Sequence, residues 1–278
     1  MTQFSKPPHD RTCRDKFQVR VNGVPHFKAT VKSDGEDYSV HFAALFSPNK
    51  DAVPILLMHG WPGSFLEFLP ILTKVQETYN ADPASLPYHL IVPSLPGYIF
   101  TELGPTQDID TDKAADVLHQ LMLNLGFGPG SYGGLGGGYI AQGGDVGSGL
   151  ARSLAVRHPG HEGGCRGALL NMLPMYPPAN KDELAPPTET EMVSLERGMT
   201  FAKQGMGIGE KMSAWAETPP PLEEILGNVS LYWLTDCFPT SIWIYREGGH
   251  FAALEQPDVL WQDIVEFVDH VKAATKNK

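Results

Sequence analysis

The chain has 278 residues, 42% of them hydrophobic and 19% charged, enough apolar material for the core of one large domain or two small ones. A formal net charge of -11 and a pI near 5.3 argue against nucleic acid as a partner, since phosphates would be repelled, and no Lys/Arg run makes a local basic patch. Cys13, Cys165 and Cys237 are widely scattered, with neither metal-ligand spacing nor a disulfide framework, which favours a reducing compartment.

The N-terminal stretch MTQFSKPPHDRTCRDKF is polar and lacks the apolar segment of a signal peptide, and no apolar run is long enough to span a membrane. The expectation is a soluble, cytoplasmic protein without a membrane anchor. Two alternating stretches, KFQVRVNG and SVHFAALF, read as strands near a sheet edge. Next comes DAVPILLMHGWPG, an apolar run over residues 53–58 that ends in a Gly/Pro turn, as a buried parallel strand feeding a functional loop does. Residues 64–75 read as a helix, apolar at Phe65, Phe68, Leu69 and Leu72, and HLIVPSLPG as a second buried strand.

Residues 111–125 have the pattern of an amphipathic helix, with Asp110 or Thr111 as its cap. YGGLGGGYIAQGGD holds a third buried strand, residues 147–158 a further helix, and GALLNMLPM a further strand. Strand alternating with helix in this way predicts a mostly parallel, doubly wound α/β sheet. Residues 174–240 are rich in Pro, Glu and Thr and read as a helical lid inserted between two parts of the core, 1–173 and 241–278. LEQPDVLWQDIVEFVDHVKAATK closes the chain as an amphipathic helix after a proline start.

One residue stands out chemically. In IAQGGDVGSG, Gly143 and Gly147 flank Asp145 in the small-x-nucleophile-x-small pattern of a sharp strand-to-helix turn, with aspartate where serine is usual. A carboxylate exposed there can attack an electrophilic carbon and form an ester, although a capping aspartate in a glycine-rich loop has the same spelling. His250, in EGGHFAALEQP, comes late in the chain, where this fold class carries its general base. HGWPG, after the first buried strand, offers the backbone N–H of Trp61, which with that of Val146 would make an oxyanion hole. YGGLGGGY lacks the context of a dinucleotide loop, His26 and His41 fit no paired metal spacing, and Ser148 has no glycine elbow centred on it. No cofactor and no metal are expected.

The segments FAALFSPNKDAVPILLMHGWPGSFLEFLPIL, LIVPSLPGYIF, YIAQGGDVGS, VSLYWLTDCFPTSIWIYRE and GGHFAALEQPDVL together resemble the microsomal-type epoxide hydrolases, particularly their fungal soluble members. The resemblance runs from about His41 to the end. It implies an α/β-hydrolase fold with a reduced helical lid and the conversion of a hydrophobic epoxide to a vicinal diol, chemistry that belongs to detoxification. Carried over by position, Asp145 matches the nucleophile, His250 the general base, Trp61 the oxyanion motif, and Tyr245 one of two cap tyrosines that protonate the opening epoxide oxygen.

Three departures accompany it. The family's N-terminal extension is mostly absent. No tyrosine occurs between Tyr176 and Tyr232, where the first cap tyrosine would stand. Glu247 is followed at once by GGHF, so the segment that carries the family's triad acid is missing, and neither Glu247 nor Asp236 fits that role well. The same deletion leaves Tyr245 open between two readings, a cap acid or a residue of the last strand. A catalytically inactive relative that binds a hydrophobic ligand or a partner is the alternative from another class. A haloalkane dehalogenase is disfavoured, because Val146 supplies no aromatic N–H donor for halide.

Overall fold

The computed structural model describes residues 18–104, 107–130, 134–172 and 257–276, with isolated helical positions at Met192, Gly227 and Leu231. The chain divides into two compact units, Met1–Met172 with Pro221–Lys278, and Leu173–Pro220. The lid expected over 174–240 lies outside the described residues apart from those three positions.

Among the described residues six strands form one sheet: β1 (His26–Ser33), β2 (Glu36–Leu45), β3 (Val53–Met58), β4 (Tyr88–Pro93), β5 (Tyr139–Gly143) and β6 (Cys165–Leu170). Their order across the sheet is β1-β2-β4-β3-β5-β6. β1 and β2 form an antiparallel hairpin and β2 runs antiparallel to β4, while β3/β4, β3/β5 and β5/β6 are parallel. Among the described residues four helices of ten residues or more flank the sheet: α1 (Leu69–Thr78), α2 (Thr111–Asn124), α3 (Val146–Arg157) and α4 (Pro257–Lys276). α2 packs on α3 and α1 on α4, so the helices form two pairs, as a doubly wound sheet requires.

The centre of the sheet is dry. All six residues of β3 and all five of β5 are buried, which explains why β3 is continuously apolar rather than alternating. Each such aliphatic side chain contributes about 1.5–3 kcal/mol by leaving water. β6 differs: only Cys165 is buried, and its other five residues are half-exposed, because its outer edge pairs with no described strand.

Two sequence expectations need correction. KFQVRVNG is not a strand; residues 18–21 are helical, and the edge position belongs to His26–Ser33. The hairpin is set by Asp34-Gly35, both at positive φ (51° and 78°), the pair that closes a tight antiparallel turn. The helix expected from residue 64 begins instead as a 3-10 turn over Phe65–Phe68, and α1 starts at Leu69. Pro70, which lacks an N–H, is suited to the first turn of a helix and not to its interior. The α2 expectation stands: Asp110 caps it by accepting from the Lys113 N–H at 2.8 Å.

Candidate active site

Asp145 sits at the carboxyl edge of β5, between that strand and α3, with φ 56° and ψ -126°. That backbone conformation is sparsely populated and costs on the order of 1–3 kcal/mol. Its glycine neighbours are required by contact. A Cβ on Gly143 would overlap the Gly147 carbonyl, and one on Gly147 would overlap the Met58 carbonyl at the end of β3. The turn is therefore pressed against both strands and lifts one buried side chain above the sheet edge; Asp145 is 2% exposed.

The Trp61 N–H donates to Asp145 Oδ1 at 3.1 Å, and the Val146 N–H donates to the same oxygen. Two residues read from sequence as an oxyanion pair thus converge on one atom of the third. The sequence reading passed over Gly60, which makes this approach possible. A Cβ there would stand 2.7 Å from Asp145 Cγ and 2.9 Å from Oδ1. The glycine in HGWPG was a legible signal, since close approach of backbone to a reactive group is a standard use of glycine.

His59 holds the turn in place. It is fully buried, its Nδ1 lies 3.0 Å from the Gly60 carbonyl, and its Nε2 accepts from the Leu95 N–H at 3.2 Å. This requires the neutral imidazole with the proton on Nδ1. Burial pushes its pKa down to about 4, so the ring is neutral near pH 7 and ties the loop after β3 to the loop after β4. Tyr98 packs its ring against His59 at 5.0 Å between centroids. Phe100 packs edge-on to His41 at 5.0 Å and lies 6.0 Å from Phe65. Tyr98 is fully buried, while Trp61 and Phe100 are half-buried.

His26 lies on β1 and His41 on β2, and the two side chains are paired. Their rings share a hydrogen bond of 3.0 Å across β1 and β2, and His41 Nδ1 lies 2.8 Å from Ser94 Oγ. Burial lowers the His41 pKa to about 3. Ser148 donates to the Gly143 carbonyl at 2.7 Å, so its hydroxyl secures the elbow. Among the described residues no group of three or more His, Cys, Asp or Glu side chains could hold a metal ion. His250 and Tyr245 lie outside the described residues.

With this geometry in place, comparison with known proteins is informative. Residues 14–68 match the family model described as the epoxide hydrolase N terminus. A putative epoxide hydrolase of Dothistroma septosporum is 34% identical over 330 residues, covering 91% of this chain and 75% of that protein. That aligned span exceeds this chain's 278 residues, so the relative carries internal segments that this chain lacks. The structure of Aspergillus niger epoxide hydrolase superposes with a TM-score of 0.71 at 31% identity, covering 98% of this chain and 91% of that one. The juvenile hormone epoxide hydrolase of Bombyx mori, at 19% identity and a TM-score of 0.72, shares the fold. The α/β-hydrolase architecture expected from the sequence is therefore the architecture of the chain. Among the described residues no helix is long and apolar enough to cross a membrane.

Proposed function

The chain belongs to the epoxide hydrolases, and from that membership we propose that it opens a hydrophobic epoxide through an ester on Asp145. The observation that carries this reading is the convergence of the Trp61 and Val146 N–H groups on Asp145 Oδ1. Held there, Oδ1 is the oxygen that becomes the ester carbonyl, and Oδ2 is the one that attacks. Oδ2 forms a bond to an epoxide carbon, the epoxide C–O bond breaks, and the oxygen takes a proton from an acid, the role assigned to Tyr245. In the second step His250 removes a proton from water, and the resulting hydroxide adds to Asp145 Cγ. The charge that develops on Oδ1 is met by two donors already in position, which is worth far more in a dry site than in water. Collapse expels the diol and regenerates the carboxylate.

The half-buried aromatics Trp61 and Phe100 support an apolar substrate. The sparse, unframed cysteines support a cytoplasmic setting, where removing a reactive epoxide is a detoxification. Incubation with styrene oxide followed by peptide mass spectrometry tests the reading. An adduct on Asp145 that turns over to diol is expected. Diol formation without any adduct, with Asp145→Ala as active as the unmodified chain, would remove it.

A further inference from the structure

A second set of imidazoles, unused by the proposed reaction, runs across the β1–β2 hairpin to the end of β4. His26 Nε2 lies 2.9 Å from the Val21 carbonyl oxygen, His26 Nδ1 lies 3.0 Å from His41 Nε2, and His41 Nδ1 lies 2.8 Å from Ser94 Oγ. A carbonyl only accepts, so His26 Nε2 carries a proton. In a neutral ring the other nitrogen then accepts. His41 therefore donates from Nε2 to His26 Nδ1, and the Ser94 hydroxyl donates to His41 Nδ1. All three donors point the same way, from a fully buried serine to a half-buried histidine on the edge strand.

This line bears on the loops around Asp145. The His41 carbonyl accepts from the Ser94 N–H at 2.9 Å, and the His41 N–H donates to Thr101 Oγ1 at 2.9 Å. Both ends of the 94–101 loop are thus fastened to one residue. Phe65 and Phe100 pack on the same ring, at 5.1 and 5.0 Å between centroids. Immediately after Ser94, the Leu95 N–H donates to His59 Nε2. His59 in turn holds the Gly60 carbonyl, beside the Trp61 N–H that reaches Asp145. Phe65 opens the turn that follows HGWPG. The hairpin histidines therefore brace the two loops that His59 joins.

The direction of the line depends on one proton. A proton taken up by His26 sits on Nδ1 and faces His41 Nε2–H, and two donors cannot share a contact of 3.0 Å. His41 does not escape by charging as well, because burial, with repulsion from His26 and Lys28 added, lowers its pKa to about 3. Among the described residues, the other groups that face the pair are the Val21 carbonyl, Phe65, Ser94, Phe100 and Thr101, none of them charged. The relief left within the line is a change of tautomer. The His41 Nε2 proton passes to His26 Nδ1, and one proton settles on His41 Nδ1, which then donates to Ser94 Oγ. The line gains one proton in all. The buried Ser94 hydroxyl, bonded only to His41 among the described residues, loses its acceptor. We propose that His26 and His41 are positioning residues for the attack by Asp145: with His26 neutral they hold the Ser94–Leu95 anchor, and a proton on His26 reverses the line and releases it. This rests on the reading of Asp145 as nucleophile.

Imidazole nitrogen NMR spectra of the full chain, from about pH 8 to about pH 5 where histidines titrate, read the tautomers without turnover. His41 should carry its proton on Nε2 at the alkaline end and on Nδ1 at the acid end, changing in step with the protonation of His26. A His41 that keeps its Nε2 proton while His26 charges would overturn the proposal. Rapid-quench mass spectrometry with styrene oxide reads the consequence. Ester formation in the unmodified protein should fall by roughly 10-fold across that range, as a displaced loop would cause. His26→Gln, whose amide oxygen can accept the His41 N–H at every pH, should abolish the fall. His41→Ala should be slow at every pH, and His41→Asn, whose amide can still reach Ser94, should restore the rate without the fall. The same fall in His26→Gln as in the unmodified protein would overturn the proposal while leaving the ester mechanism standing. Absence of an Asp145 ester at every pH would remove the nucleophile reading and this positioning role together.

Discussion

The two sides of Asp145 are built differently. Toward β3, the proposed nucleophile meets a buried turn in which Gly60 gives the space, Trp61 gives an N–H donor, and a neutral His59 ties the turn to the next loop. Toward β6, it meets a half-exposed strand whose outer edge is unpaired among the described residues and whose last neighbour is an exposed Asn171. On the first side two backbone donors hold one oxygen of a buried carboxylate, an arrangement that in the proposed mechanism orients Asp145 for attack and meets the charge that develops on Oδ1 when the ester is hydrolysed. Hydrogen bonding around Asp145 is thus concentrated, among the described residues, on its β3 side.

The sharpest way to break this contrast is to remove the nucleophile and keep its shape. Asp145→Asn should lower diol formation by at least about 10⁴-fold, in line with nucleophile loss in other covalent hydrolases, with no ester detectable. Secondary structure by circular dichroism should be unchanged, because asparagine tolerates positive φ.

Gly60→Ala disturbs the dry side directly. The added methyl would collide with the Asp145 carboxylate, and a displacement of that order should cost about 100-fold in the rate of ester formation by rapid quench. If ester formation were unaffected, the close approach of the Trp61 turn would have no bearing on the attack.

His59 gives a pH test of the same side. Its folded pKa of about 4 lies below its ordinary value of 6.5, so its contribution to stability is fully present above pH 6.5 and is lost as pH falls toward 4. His59→Asn should lower stability at pH 7 by about 1–3 kcal/mol, because one of the two bridged backbone groups is left unpaired. It should also flatten the fall in Tm between pH 6.5 and 4 by roughly one proton's worth of slope, measured by calorimetry. The smallest effect is expected far from the site. Lys74 and Asp258 join α1 to α4 at 2.6 Å with both side chains exposed, and Lys74→Ala should change stability by no more than about 1 kcal/mol and leave both chemical steps untouched.

The dry side was the legible one. Val53 to Met58 had to be a buried parallel strand because six successive apolar residues leave no face for water, and the glycines at 143 and 147 had to mark a turn that only small residues permit. Trp61 and Val146 could be named as donors from their places beside those elements. What sequence reading missed depended on contacts between distant residues. The ring pair of His26 and His41 forms only when β1 and β2 align, and Asn171 meets the elbow only when β6 lies beside β5. KFQVRVNG has the alternation of a strand, yet the Asp34-Gly35 turn downstream fixes a different segment as the edge. Local pattern could not decide between them, because pairing partners decide which alternating run becomes a strand. The lid, Tyr245 and His250 remain known from sequence alone.

A single turnover in H₂¹⁸O, with enzyme in excess over epoxide, tests most directly whether Asp145 makes the ester. If it does, the first diol carries no heavy oxygen and the label appears in the Asp145 carboxylate, because water attacks Cγ and not the epoxide carbon. Heavy oxygen in the first diol, with an unlabelled Asp145 peptide, would mean that water opens the epoxide directly and that Asp145 is not the nucleophile.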